Sequence, residues 1–259
     1  MTDAWLRCRT PRHSPSARLV CLPHAGGTAG PYAAWGARFP DDMELSAVQY
    51  PGREDRLSEP PADDLRSLTA GLCAALLPLA ERPLVLFGHS FGAIVAYEAA
   101  LRLTAWGAAP GHLVVSGRRA PSLPARGDTH TRPDDALVDE LVRLGGTRGE
   151  LLTDPAVRDA YLPAVRADFR LAETYHRPAS PPLGCPVTAV LGERDTEVDE
   201  AQARAWAPHT TGPFRLRAFP GGHFYFTPRR EPVLRLLVDI TRTAAATGAR
   251  CRLESENLS

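Results

Sequence analysis

The sequence predicts an α/β fold with a mostly parallel central sheet and helices on both faces. Short, nearly continuous apolar runs recur along the 259 residues, and helical patterns stand between them. Continuous apolar runs suit strands that are buried on both sides, as parallel strands are. In addition, the turn GHSFG at 88–92 joins one apolar run directly to a helical pattern. Many α/β chains of this length form a single domain, so one domain is expected over residues 1–259.

Six apolar runs are predicted to form the strands. They cover residues 18–23, 44–50, 83–88, 112–117, 186–192 and 214–220. Between them, 63–80 places its leucines on one helical stripe, and 92–107 is apolar nearly all round, so the second helix is expected to be deeply packed. A C-terminal helix is predicted at 231–246, followed by a disordered tail from about 247.

The strand and helix alternation is interrupted by a predicted helical insertion at about 118–182. Two amphipathic stretches, 134–145 and 154–176, stand there between proline-rich flanks. Pro163 is expected to kink or split the longer stretch, because proline lacks the N–H that continues a helix. An all-helical insertion in a regular α/β pattern is typical of a lid over a site.

Composition excludes several classes of function. The 30 basic and 30 acidic residues cancel, so no net field favours nucleic acid or an anionic membrane. No apolar run is long enough to cross a bilayer and no signal peptide is evident, which predicts a cytoplasmic protein. The five cysteines are scattered without a C-x-x-C pair, which predicts reduced thiols and no metal site. All 30 basic residues are arginine, a bias typical of a GC-rich genome, so arginine abundance alone is weak evidence for a function.

The turn at 88–92 is the first candidate for chemistry. G-x-S-x-G by itself is a weak signal, but its position after a strand and before a helix is the arrangement of a nucleophile elbow. Gly88 and Gly92 allow the backbone and the helix to approach closely, and Ser90 is expected in a strained conformation that exposes its hydroxyl. The alternative is an ordinary strand-to-helix turn with a capping serine.

A serine nucleophile needs a base, and the base needs an orienting acid. His223 is the best candidate base among the eight histidines, because it follows a predicted strand and a Gly-Gly turn. The acid should follow the strand at 186–192, where Asp195 is the first choice and Glu193 the second. Asp199 is third, because it belongs to a D-x-x-Q pattern that caps a helix.

An oxyanion hole needs two N–H donors. The residue after the nucleophile supplies one, the N–H of Phe91. The loop after the first core strand is expected to supply the other from Ala25, since Gly26 and Gly27 permit the necessary turn. His24 either contacts substrate or is a hydrogen-bonded loop histidine.

Several motifs together resemble a known family, the stand-alone type II thioesterases that accompany polyketide synthases and nonribosomal peptide synthetases, within the α/β-hydrolase superfamily. They occur in the family's order over about residues 19–240. The motifs are LPHAGGTAGPYAAW, VQYPGREDR, GHSFGAIVAYEAA, SGRRAP, RADFRLAETY, LGERDTEVD and FPGGHFYF.

The resemblance implies an α/β-hydrolase fold and hydrolysis of acyl groups from the phosphopantetheine arm of carrier proteins, clearing stalled or wrongly loaded chains. It assigns catalysis to Ser90, Asp195 and His223, and the oxyanion hole to Ala25 and Phe91. No cofactor is expected, because the substrate itself carries phosphopantetheine.

The expected partner is an acyl or peptidyl carrier protein, with no nucleic acid or membrane involved, and the chain is expected to be a monomer. Because carrier proteins are typically acidic, Arg118 and Arg119, with Arg126, are candidate substrate or carrier contacts at the lid entrance. The role of Arg53 in the motif YPGRED does not follow from the sequence, and a structural salt bridge is the default interpretation.

Three other functions stay open. A general carboxylesterase or lipase would use the same triad. An acyltransferase shares the GHSFG pattern, but such enzymes usually place Glu after the last glycine, where this chain has Ala93. A ligand-binding protein on a hydrolase scaffold is the third, because a fold does not by itself establish a function.

Overall fold

The structure is a computed structural model that describes residues 4–146, 152–177, 179–227 and 230–256. A seven-stranded sheet lies at its centre, with strands in the order β1-β3-β2-β4-β5-β6-β7. All neighbouring strands are parallel except β1, which pairs antiparallel with β3 at the sheet edge. The strands are β1 Leu6–Arg7, β2 Ala17–Leu22, β3 Met43–Val48, β4 Leu84–His89, β5 His112–Ser116, β6 Val187–Gly192 and β7 Phe214–Phe219.

The six predicted strands correspond to β2 through β7, with ends that differ by one or two residues. Strand β1 does not follow from the sequence, because two residues are too short to show a hydrophobic period. Strands β2 and β4 are neighbours in the middle of the sheet, with Val20 opposite Leu86. This adjacency places the ends of two strands that are far apart in sequence beside each other.

Seven α-helices surround the sheet in the described part of the chain. They are α1 Ala33–Gly36, α2 Leu65–Leu76, α3 Phe91–Ala105, α4 Asp134–Leu144, α5 Pro155–Thr174, α6 Glu200–Arg204 and α7 Arg230–Glu256. None of the helices described is both long and apolar enough to span a membrane.

Apolar residues on the two faces of the sheet form two separate cores. Val20 of β2 faces the core built with α2 and α3, whereas its neighbour Leu19 faces the core built with α1 and α7. Leu72 of α2 is fully buried in the first core. Burial of one such side chain stabilises the fold by about 1.5–3 kcal/mol relative to an exposed position. Helix α3 is buried along most of its length, as its all-round apolar sequence predicts.

The predicted helical insertion contains α4 and α5, between β5 and β6. Pro163 does not split α5, which continues from Pro155 to Thr174. Helix α7 also differs from the prediction, because it continues through Glu256 where the sequence predicts a disordered tail from about 247. Residues 240–256 contain no proline, and the single Gly248 is tolerated within the helix.

Candidate active site

The carboxyl ends of β2, β4, β5, β6 and β7 meet at one edge of the sheet, which is where open α/β sheets bind ligands. Each of the loops at this edge carries a residue that the sequence singles out. The elbow lies between β4 and α3, the loop at 23–29 follows β2, and the two loops with the candidate acid and base follow β6 and β7.

The elbow has the strained geometry that the sequence predicts. Ser90 adopts φ 54° and ψ −115°, a conformation that is uncommon for a residue with a side chain. Its N–H donates to the carbonyl of Ser116, 2.8 Å away on the neighbouring strand β5. A Cβ atom at Gly88 would lie 2.1 Å from the carbonyl oxygen of Gly92, so only glycine fits there. The tight turn leaves Ser90 at the start of α3 and partly exposed.

His223 and Asp195 form a buried hydrogen-bonded pair. Nδ1 of His223 lies 3.0 Å from Oδ1 and 2.9 Å from Oδ2 of Asp195, and the two side chains are 4% and 0% exposed. The Asp195 carboxylate also accepts a hydrogen bond from the N–H of Glu197 at 2.8 Å, which restricts its rotation. This arrangement holds the imidazole with Nδ1 toward the acid.

The other two candidate acids have different environments. Glu193 is exposed. Asp199 accepts from the N–H of Gln202 at 2.8 Å, and the Gln202 side chain accepts from the N–H of Asp199 at 3.2 Å. The predicted capping box is therefore present at the start of α6.

Ser90 and His223 line one cavity of about 410 Å³. His24 and Ala25 of the loop at 23–29 line the same cavity, together with Phe224. Residues from both helices of the insertion complete its wall, among them Leu141 of α4 and Phe169 of α5. The insertion thus contributes to the chamber in which the candidate nucleophile and base lie.

The two candidate oxyanion donors are the N–H groups of Ala25 and Phe91. Phe91 is the first residue of α3, where the N–H groups have no partner within the helix. Neither N–H donates to an acceptor in the part of the chain that the structure describes. The helix N-terminus adds a partial positive charge on the Phe91 side.

Two further histidines lie beside His223, and both are neutral. Burial, followed by the charges of His223 and Arg53, lowers the pKa of His24 to about 3. Burial also lowers the pKa of His89 well below its usual value. Nδ1 of His89 hydrogen-bonds the Ser116 hydroxyl at 2.9 Å, and the ring centroid lies 4.7 Å from that of His223. The rings of His24, His89 and His223 therefore lie in one aromatic cluster.

The loop at 23–29 is fixed by two residues that sequence reasoning does not place in the site. Asp168 of α5 accepts a hydrogen bond from the N–H of Gly26 at 2.8 Å. Gln49 accepts one from the N–H of Ala29 at 2.9 Å. A signal for Asp168 exists in the sequence, because this acid stands on the apolar stripe of an amphipathic helix beside Val165 and Phe169.

Comparison with known proteins identifies the family. A domain model described as Thioesterase domain matches residues 17–241 of the chain. The chain belongs to the thioesterase family. A probable cadicidin biosynthesis thioesterase from Streptomyces griseus is 46% identical over 229 residues, which is 88% of this thioesterase and 63% of the relative. Thioesterase PikA5 from Streptomyces venezuelae is 42% identical over 246 residues, which is 93% of this chain and 87% of PikA5.

Solved structures of similar proteins indicate the same family. The type II thioesterase BorB from the borrelidin biosynthetic cluster is 40% identical with a TM-score of 0.86, covering 93% of this thioesterase and 99% of BorB. RedJ, from the prodiginine pathway of Streptomyces coelicolor, is 39% identical with a TM-score of 0.81, covering 89% of each chain. The predicted α/β-hydrolase fold, the resemblance to type II thioesterases, and the enzyme class of a serine hydrolase acting on thioesters are confirmed.

The arginines predicted as substrate or carrier contacts line the cavity of this thioesterase. Arg118, Arg119 and Arg126 all contribute to its wall. Arg118 donates to the carbonyl of Ala172 in α5 at 2.6 Å, and burial together with Arg119 lowers its pKa to about 10. It therefore lies in the chamber wall, attached to the insertion.

Proposed function

We propose that this thioesterase hydrolyses acyl groups from the phosphopantetheine arm of acyl or peptidyl carrier proteins, clearing stalled or misloaded chains in polyketide or nonribosomal peptide synthesis. The observation that carries the proposal is that His223, hydrogen-bonded to the buried Asp195, lines one cavity together with Ser90. Relatives from such pathways, with identities of about 40%, support the substrate class.

The proposed mechanism has two halves. Nε2 of His223 takes the proton from the Ser90 hydroxyl as the oxygen attacks the thioester carbonyl, and Asp195 stabilises the imidazolium. The Ala25 and Phe91 N–H groups bind the oxyanion. The C–S bond then breaks, and His223 returns the proton to the departing thiolate. In the second half, His223 activates a water that releases the acid from Ser90.

A thioester is easier to hydrolyse than an ester or an amide, so Ser90, His223 and Asp195 need to provide less stabilisation of the transition state. A thiol with a pKa of about 8.5 leaves far more readily than an alcohol or an amine. The chain then needs no cofactor of its own, since the substrate brings phosphopantetheine with it. Arg119 and Arg126 line the cavity, which supports a role for them in binding the anionic arm of the substrate. Arg118 also contacts the insertion, so its contribution to substrate binding includes holding that wall.

A panel of acyl groups loaded on one carrier protein tests the proposal. Wild type and Ser90→Ala are compared for release of free acid, with acyl-coenzyme A and a simple ester as parallel substrates. We expect wild type to turn over acyl-carrier fastest, and Ser90→Ala to lose activity by a factor on the order of 10⁶. The matched control is Ser122→Ala, a serine outside the cavity wall.

Three outcomes would contradict the proposal. Faster turnover of the simple ester than of acyl-carrier would favour a carboxylesterase. Transfer of the acyl group to an added thiol or alcohol in preference to water would favour an acyltransferase. Binding of acyl-carrier without turnover, and without covalent labelling of Ser90, would favour a ligand-binding protein on this scaffold.

A further inference from the structure

Arg53 and Asp168 form an ion pair in the interior, close to the proposed oxyanion hole. Nη1 of Arg53 lies 2.7 Å from Oδ2 of Asp168, and Nη2 lies 3.0 Å from Oδ1. The pair is bidentate, and the two side chains are 3% and 2% exposed. Arg53 follows β3, whereas Asp168 lies on α5 in the insertion, so the pair joins the sheet to the lid. Removing water from both charges is costly, and the stability of the fold alone does not require such a pair.

Both partners bind the backbone of the loop at 23–29. Oδ2 of Asp168 accepts from the N–H of Gly26 at 2.8 Å, and Nη1 of Arg53 donates to the carbonyl of Gly27 at 3.2 Å. The carbonyl of Arg53 accepts from the Gln49 side chain at 3.1 Å, and Gln49 accepts from the N–H of Ala29 at 2.9 Å. Three peptide groups of the loop are therefore held by one connected network.

The same helix holds the loop at a second point. The hydroxyl of Tyr161, on α5, donates to the carbonyl of Gly26 at 2.9 Å. Gly26 has φ +72°, and a Cβ atom there would lie 2.7 Å from the Tyr161 hydroxyl and 2.8 Å from Val165. Helix α5 thus contacts the N–H, the Cα and the carbonyl of the residue next to Ala25. The Ala25 N–H belongs to the peptide just before, so its direction depends on how the backbone of Gly26 is held.

We propose that Asp168 and Arg53 are positioning residues that aim the Ala25 N–H at the oxyanion. Helix α5, which carries Asp168, then helps to hold the oxyanion hole in its active geometry. The inference rests on the proposed function, in which Ala25 is an oxyanion donor. The carboxylate orients the Gly26 N–H, and the guanidinium cancels the negative charge that would otherwise oppose an oxyanion nearby. An apolar pair would leave the Gly26 N–H without its acceptor.

The test uses Asp168→Ala, Asp168→Asn and Arg53→Lys in the full-length chain, with one acyl-carrier substrate. Small misplacements of a catalytic group can cost about 10²-fold in rate, so we expect kcat of Asp168→Ala to fall by about that factor while KM stays the same. Arg53→Lys keeps the charge but loses the bidentate geometry, so partial activity is expected. Arg170→Gln is the matched control, since Arg170 lies on the same helix in an ion pair with Asp63 whose side chains are 43% and 95% exposed.

A second measurement separates positioning from folding. A peptidyl boronic acid adds to Ser90 and places an oxygen in the oxyanion hole, whereas a thioether analogue of the substrate does not. We expect the Asp168 variants to bind the boronic acid about 10²-fold more weakly and the thioether as tightly as wild type. Unfolding midpoints of each variant establish that the assays are run on folded protein. If Asp168→Ala does not fold, Asp168→Asn, which keeps the volume and one acceptor oxygen, carries the test.

Two failures are distinguishable. If wild type does not release acid from any acyl-carrier, the proposed function fails. If wild type is active and the folded Asp168 variants match its kcat and its boronic acid affinity, or lose kcat and thioether binding together, the positioning role is overturned.

Discussion

The two proposed oxyanion donors lie on segments that are supported in different ways. Phe91 lies on the elbow, which is continuous with β4 before it and α3 after it, and both elements are buried. Ala25 lies on the loop at 23–29, whose backbone is held by side chains far away in sequence, including Arg53 and Asp168. One half of the site is built by a local strand-turn-helix, and the other by contacts that form only when the whole chain has folded.

This difference bears on how each half fails. The elbow depends on close backbone contacts that a side chain would force apart, because a Cβ atom at either Gly88 or Gly92 would lie 2.1 Å from a backbone carbonyl oxygen. The loop depends on a buried pair, and removal of one partner from such a pair typically costs about 3–5 kcal/mol. Substitutions in the elbow act through steric overlap. Substitutions in the pair that supports the loop leave a buried charge unpaired, and loss of Asp168 also removes the acceptor of the Gly26 N–H.

Among the changes that test this contrast, the largest effect is expected where the two segments touch. A Cβ atom at Gly92 would lie 2.1 Å from the carbonyl oxygen of Leu22 and 2.5 Å from that of Pro23. Gly92→Ala should therefore push the elbow and the loop apart and misalign both donors. We expect kcat to fall by about 10²–10³, the loss seen when one oxyanion donor is removed. Steady-state kinetics with acyl-carrier substrate measure the effect.

Gly184→Ala is the matched control, because a Cβ atom there meets nothing within 4 Å. It should change the free energy of unfolding by no more than about 0.5 kcal/mol and leave kcat unchanged. A folded Gly92→Ala variant with wild-type kcat would show that the contact between the segments does not set the donor geometry.

The same contrast explains what can be predicted from sequence. The elbow, its glycines and the strained Ser90 follow from residues 84–107 alone, because the apolar run, the turn and the helix are adjacent. The order of strands also leads to Asp195 and His223, which the structure joins by a hydrogen bond, while their catalytic roles stay a prediction. The support of Ala25 by Asp168 does not follow from the sequence, since 142 positions separate Gly26 from Asp168 and no local period connects them. The default interpretation of Arg53, a salt bridge, agrees with the structure, but the sequence does not identify its partner.

A smaller effect is expected from the second contact between α5 and the loop. Tyr161→Phe removes the hydroxyl that donates to the Gly26 carbonyl at 2.9 Å and keeps the ring in place. A hydrogen bond of this kind contributes about 0.5–1.5 kcal/mol net, so kcat should fall by roughly two- to tenfold. Combining Tyr161→Phe with Asp168→Asn should give less than the product of the two separate losses, because both residues hold the backbone of Gly26, one at its N–H and the other at its carbonyl. Multiplicative losses would show that the two residues act independently.

The last prediction concerns acid stability, where no change in kcat is involved, since the loop and the elbow each contain one neutral imidazole, His24 and His89. Burial lowers the pKa of His24 to about 3, below the value of about 6.5 in an unfolded chain. As pH falls below 6.5, His24 binds a proton in the unfolded chain but stays neutral in the folded chain. The free energy of unfolding therefore decreases with a slope of up to about 1.4 kcal/mol per pH unit. Urea unfolding of wild type and His24→Gln between pH 7 and pH 4.5 measures that slope, which should be shallower in the variant.

His112→Gln is the comparator outside both segments, since burial lowers the pKa of His112 to about 4 and its Nε2 lies 2.9 Å from the Thr188 hydroxyl. Its slope should also become shallower. If His112→Gln reduces the slope and His24→Gln does not, the folded protein accepts a proton at His24, which lines the cavity and can be reached from it. That result would show that the loop at 23–29 does not protect its imidazole from protonation, whereas the position of His112 on β5 does.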